Sequence, residues 1–323
     1  MKTHQLLLLS KVALLGLAII GLARPAFSAD GYANVGGTTN GGSGTPVVCT
    51  TLAQLTAAAS DDTPRVVNIS GMINLGSINF RVGSNKTING VGANSGFIGD
   101  LICRLENNIV LQNLRFTNPN STGDADGLTL YGSTHVWVTH CTFTQCGDGS
   151  LDITHGSDNI TVSWCKFQYT SNTGHNFVNL IGHSDNNAAE DTGKLHITFH
   201  HNWWSTLCVE RMPRVRFGRV HGYNNYYNCT GNNNCNRASL QSEIRVQNNS
   251  YENISNPYEK FASSSATGRQ VGKINAAGDL LVNCTNVVSF ADAVFTPPYS
   301  FTLAAASAVK GAVTSASTGA GTH

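Results

Sequence analysis

Four aspartates and three arginines carry the chemistry most readily read from this chain. Asp124 and Asp126 lie two residues apart, Asp148 and Asp152 four apart, and Asp148 follows Asp124 by 24 residues. Residues at even separation on a strand share a face, so on stacked rungs all four would form one patch, with Asp124 over Asp148. Carboxylates crowded in this way repel one another. A hard divalent cation with oxygen ligands would offset the repulsion, and Ca²⁺ accepts the irregular geometry that stacked carboxylates give. The competing readings are four solvated turn aspartates, or a hydrolase using paired carboxyls as acid and base. Arg211, Arg214 and Arg216 bring the opposite charge within six residues. Their forked guanidinium groups suit carboxylates, either on a neighbouring rung or on a ligand. Acids, a cation and arginines along one flank point to a polyanionic, carboxylate-bearing chain as the ligand.

The element that must position these groups is an internal repeat. Six segments share one pattern, starting at Asn108, His135, Asn159, His196, Arg219 and Glu243. Most copies have apolar residues at the second and fourth positions, and all have a polar corner around the fifth and sixth. The ninth is aromatic throughout: Phe116, Phe143, Phe167, Trp204, Tyr227 and Tyr251. The starts are 27, 24, 37, 23 and 24 residues apart. Alternation of this kind means strands, and an interval in the low twenties is about one circuit of a parallel β-helix. A β-sandwich would instead show hairpin turns about every 8 to 12 residues, with no shared long period. The sixth positions, Asn113, His140, Trp164, His201, Asn224 and Asn248, should form a ladder at one corner. Stacking also sets Cys141 over Cys165, where a disulfide and two packed thiols both fit. The one long interval, 159 to 196, implies an excursion over roughly 171–194, of the kind that carries binding work. A capped helix is expected over Thr51–Ala59, covering the open end of the stack, and a second over Ala304–Ser315.

Composition agrees with that architecture. The 323 residues include 33 Gly and 34 Asn, which suit tight corners, and only 12% are charged, too few for long solvated helices. Lys2 and Lys11, the apolar run 6–22 and the small residues Ala26, Ser28 and Ala29 read as a secretory signal over 1–29. The domain then spans 30–323. Loss of Lys2, Lys11 and Arg24 leaves 17 basic against 19 acidic residues, a net charge of −2. That leaves no basic field for nucleic acid, and no later segment is apolar enough to span a bilayer. A secreted, soluble protein follows, expected to be a monomer, with disulfides permitted among nine cysteines and Cys229–Cys235 the nearest local pair.

The chain resembles the pectate lyases of polysaccharide lyase family 1. The matching pieces are Val136-Trp-Val-Thr-His140, Asp148-Gly-Ser-Leu-Asp152-Ile153, Ile160-Thr-Val-Ser-Trp164, Leu180-Ile-Gly-His-Ser-Asp185, His200-His-Asn202 and Arg211-Met-Pro-Arg-Val-Arg216-Phe-Gly218, in family order. The resemblance implies an all-β, single-domain, right-handed parallel β-helix with short capping helices. It implies cleavage of polygalacturonate, in pectate or pectin, by Ca²⁺-dependent β-elimination to unsaturated oligogalacturonides. It carries calcium ligands onto Asp126, Asp148 and Asp152, with Asp124 beside them, and the catalytic base onto Arg211. Arg216 becomes a substrate contact or support, with Arg214 alongside. Two positions depart from the pattern: Thr139 replaces an aspartate, and Phe177-Val178-Asn179 stands where a lysine holds a substrate carboxylate. His175 or Asn176 is the candidate replacement for that lysine. An arginine base implies an alkaline optimum. The rivals are a pectin lyase acting on methylated pectin without Ca²⁺, a polygalacturonase, and a non-catalytic carbohydrate-binding β-helix.

Overall fold

The structure, a computed structural model, describes residues 28–120, 125–261 and 270–323. Asp124 and all but the last two residues of the expected signal therefore lie outside the described residues.

Three sheets of ten, eight and nine strands, every pairing between their strands parallel, wind into a right-handed β-helix of about 9 turns. The six repeat copies fall on neighbouring strands of the ten-stranded sheet: Asn107–Gln112, Thr134–Thr139, Asp158–Ser163, His196–His200, Arg219–Tyr223 and Glu243–Gln247. Their second-position residues, such as Ile109, Val136 and Ile160, are fully buried, as the alternation requires. The ninth-position aromatics form one continuous internal stack. Ring centroids from Phe116 to Tyr251 are separated by 4.7, 4.9, 5.4, 4.6 and 4.5 Å, which is the rung spacing itself.

All six sixth-position residues adopt the left-handed conformation, with φ between 50° and 56°. Asn and His tolerate that region, whereas the bulky Trp164 does not favour it. The three rings stack on one another, at 5.9 and 4.3 Å, so packing outweighs the local preference. A second column, one residue on, was not expected. Asn225 Oδ1 accepts from the amide of Asn202 at 2.9 Å, and Asn249 Oδ1 accepts from that of Asn225 at 2.8 Å, all three fully buried. Cys165 and Cys141 continue this column as buried, packed free thiols. Cys229 and Cys235 are likewise free and buried, and burial together with the neighbouring Cys229 thiol pushes Cys235 upward in pKa.

The helix Leu52–Ala59 forms as expected. Thr51 accepts from the Gln54 amide at its N-terminus, and Leu55, Ala58 and Ala59 close the core. The second helix, Ala306–Val313, lies on the side of the stack: Val309 and Val313 pack against Tyr226. No helix among the described residues is long and apolar enough to cross a membrane. The long interval is not one excursion. A two-residue strand, Leu180–Ile181, keeps the rung in the eight-stranded sheet and splits the extra chain into two segments.

Candidate active site

The eight-stranded sheet positions the site. Its inward residues, including Leu128, Leu151, Ile153 and Val215, belong to the core at 0% exposure, so the intervening residues face outward. One outward row crosses the sheet through Arg81, Ile102, Thr129 and Asp152, and continues from Leu180 through Arg214 and Arg237 to Glu259. Leu180 joins the two halves, its amide donating to Asp152 Oδ1 at 3.2 Å. Of the expected acids and arginines, Asp152 and Arg214 stand in this row.

Asp126 and Asp152 sit at the centre of a groove of about 290 Å³, both under 9% exposed. Asp126 accepts from the Gly149 amide at 2.8 Å and from Thr129 Oγ1 at 3.0 Å. A Cβ at Gly149 would stand 2.5 Å from Asp152 Oδ1 and 2.7 Å from Asp126 Oδ1, so only glycine lets both carboxylates close over this corner. Burial, then repulsion from Asp152, Asp100 and Asp148, pushes the pKa of Asp126 well above the usual carboxylate range. Burial raises Asp152 to about 7, although the positive charge of Arg211 and the Leu180 amide pull the other way. Asp148 is more open, and His175 Nε2 lies 2.7 Å from its Oδ1, at ion-pair distance but not aligned as a hydrogen bond.

Arg211 reaches this groove from the next turns of the stack. Its backbone is left-handed, φ 61°, a conformation a bulky residue adopts only when its surroundings impose it. Its guanidinium lies over the Phe177 ring, and its buried Nε has no hydrogen-bond partner among the described residues. Buried donors are seldom left unpartnered, so this one, beside two buried carboxylates, marks the groove as a candidate site. The peptide joining Met212 and Pro213 is cis.

A model of the family described as "Pectate lyase" matches residues 6–323. The chain belongs to the pectate lyase family. It is 40% identical to the probable pectate lyase B of Aspergillus terreus over 248 residues, 73% of this chain and 72% of that one. It is 32% identical to the probable pectate lyase A of Neosartorya fischeri, across 92% and 94% of the two chains. Among solved structures it is similar to a pectate lyase of Bacillus sp. N165 in complex with trigalacturonate. That likeness has a TM-score of 0.75 at 25% identity and covers 91% of this chain and 98% of that one. The chain is thus a polysaccharide lyase of the pectate lyase kind, built as a parallel β-helix.

Within this pectate lyase scaffold, the groove gathers Asp126, Asp148, Asp152 and Arg211. Arg216 stands apart: its Nε donates to Asp185 Oδ1 at 2.6 Å and its Nη1 to the Gly182 and His183 carbonyls, so it braces the loop after Ile181. Arg214 donates to Ser239 Oγ at 3.3 Å, and burial followed by repulsion from Arg216, Arg237 and Arg211 lowers it to about 10. Asp100, buried at the groove floor and within 3.3 Å of Thr129 Oγ1, escaped sequence reasoning. It lies 8 residues before the repeat start at Asn108, the same phase as Arg211 before Arg219, so one further rung in the same search reaches it. No group of three or more His, Cys, Asp or Glu side chains stands preassembled for a metal among the described residues.

Proposed function

We propose that the chain is a secreted, Ca²⁺-dependent enzyme that cleaves polygalacturonate by β-elimination and releases unsaturated oligogalacturonides. The observation that carries this reading is Arg211, fixed in a strained backbone with a free buried donor, facing two carboxylates of raised proton affinity. Such acids suit a hard cation: the donors are all oxygen, and Asp126 and Asp152 converge over Gly149. Asp126, Asp148 and Asp152 would hold it, with Asp124 added by family resemblance. When bound, Ca²⁺ neutralises carboxylate charge and eases build-up of negative charge beside the substrate C5.

In this reading Arg211 takes the C5 proton, the C4–C5 double bond forms, and the C4–O bond breaks with its electrons on the leaving oxygen, which takes a proton from solvent. An arginine is almost always protonated, so turnover should favour alkaline pH. Arg216 positions the loop bearing His183, and Arg214 and His175 meet substrate carboxylates on either side. Residues 1–29 are a signal peptide, and a monomeric domain spans 30–323. Asp30, the first residue of that domain, docks on the stack, its Oδ1 lying 3.0 Å from His200 Nε2. Phe177, apolar where a lysine is expected, favours a second reading, a lyase tolerant of methyl-esterified pectin.

The test follows unsaturated product by its ultraviolet absorbance, from pectate and from highly methylated pectin, with and without chelator, across pH. Product from pectate that chelator abolishes and Ca²⁺ restores is expected. Activity on methylated pectin that survives chelation would establish the second reading. Saturated products would mean hydrolysis, and no turnover would leave a carbohydrate-binding β-helix.

A further inference from the structure

The groove carries positive charge on both sides of its acids, and the cations on the N-terminal side have no part in the chemistry above. Arg81 belongs to the strand Phe80–Val82 and Arg104 ends the strand Leu101–Arg104. Arg81 shares the outward row of Asp152, three strands away. At about 4.8 Å per strand, that is roughly 14 Å, and Arg104, two strands away, is roughly 10 Å from the level of Asp152.

Arg104 is braced rather than loose. Its guanidinium lies over the ring of Tyr131, 4.3 Å from the centroid. Tyr131 stacks on His155 at 3.9 Å, and His155 on His183 at 5.1 Å, so the ring beneath Arg104 is itself held. A guanidinium pre-set on an aromatic face loses little freedom when it binds a carboxylate. Arg104 is exposed and has no acidic partner among the described residues. Arg81 donates to the Arg104 carbonyl at 3.2 Å and makes only a loose 3.7 Å contact with Glu106, with 58% of its side chain exposed. Neither arginine is needed to close the core.

We propose that Arg104 and Arg81 form a distal subsite that binds the carboxylates of uronosyl residues lying along the sheet beyond the acid patch. Each residue of a polyuronate carries one carboxylate, and its length is close to the thickness of a rung. A chain lying along the groove therefore presents anions to Arg104 and Arg81 in turn while its reacting residue sits by Arg211. The inference rests on the polygalacturonate reading of the groove, and it predicts a binding site longer than the catalytic centre.

The experiment compares the wild type with Arg104→Gln, Arg81→Gln and the double variant, using polygalacturonate and trigalacturonate. Each variant should raise KM for the polymer about two- to fivefold with kcat little changed. Turnover of trigalacturonate should stay level, and Arg104→Lys should recover part of the loss. Electrophoresis in gels containing polygalacturonate reads the same subsite without turnover, and the double variant should be retarded less than wild type. Equal retardation of double variant and wild type, or an equal loss on trimer and polymer, would overturn the subsite. The catalytic reading fails separately, if wild type is retarded by the polymer yet yields no unsaturated product. Both side chains are solvent-facing, so an unchanged melting transition is expected and checks that each variant is folded.

Discussion

The guanidinium carbon of Arg211 lies 4.6 Å from the centre of the Phe177 ring. By the family resemblance Phe177-Val178-Asn179 stands in place of a lysine, and Phe177 gives Arg211 an aromatic platform instead of a second positive charge. Phe177→Lys should therefore shift preference toward unesterified substrate. Several-fold lower KM on polygalacturonate, with lower turnover of methylated pectin, is the expected pair of changes in steady-state kinetics.

Arg211→Lys keeps a positive charge but moves it and removes the fork. Loss of a positioned base costs about 10²- to 10⁴-fold in turnover. Calorimetric titration should meanwhile find Ca²⁺ affinity nearly unchanged, since the carboxylates are untouched. Retained activity would remove Arg211 from the role assigned to it.

The acid pair makes stability depend on pH in a defined direction. Asp126 and Asp152 hold protons more tightly when folded than in an unfolded chain, where an aspartate titrates near about 4. Their contribution is fully present below that value and is lost as pH rises through the folded value, about 7 for Asp152. Without divalent cations the melting temperature should fall between about pH 5 and 8. Added Ca²⁺ should reverse the fall, because a ligand that binds only the folded chain stabilises it. A melting temperature that is flat across this range, or indifferent to Ca²⁺, would contradict the placement of these acids.

The asparagine column offers a test away from the groove. Asn225 also donates to the Phe199 carbonyl at 2.9 Å, so Asn225→Ala would strand the amide of Asn202 and the carbonyl of Phe199, both on the preceding rung. A loss of about 2–4 kcal/mol is expected, read as a lower denaturant midpoint at unchanged slope.

The repeat was legible because two signals coincide in most copies: an alternation that marks a strand and an aromatic that must stack at a fixed phase. Phase also located Asp126, Asp148, Asp152 and Arg211. Other parts left weaker traces. Leu180–Ile181 is too short to show periodicity, so the long interval looked like a single excursion. The asparagine column was missed because three of its six positions hold leucine or cysteine, Leu114, Cys141 and Cys165, which hides it in any search for one residue type. The contacts of His175 with Asp148, and of Arg216 with Asp185, join segments with no common phase.

The same asparagine column limits how this chain can vary. Successive members are 23 and 24 residues apart, and each amide closes on the next. An insertion inside such a rung would have to loop out cleanly or break two buried bonds at once. Between Gln168 and His196, however, the chain already holds two added segments without disturbing the strands around them. Length variation is therefore channelled to one side of the stack, and that side forms the wall of the groove. New substrate preferences can be grafted there by exchanging loops, while the tube behind them keeps its gauge.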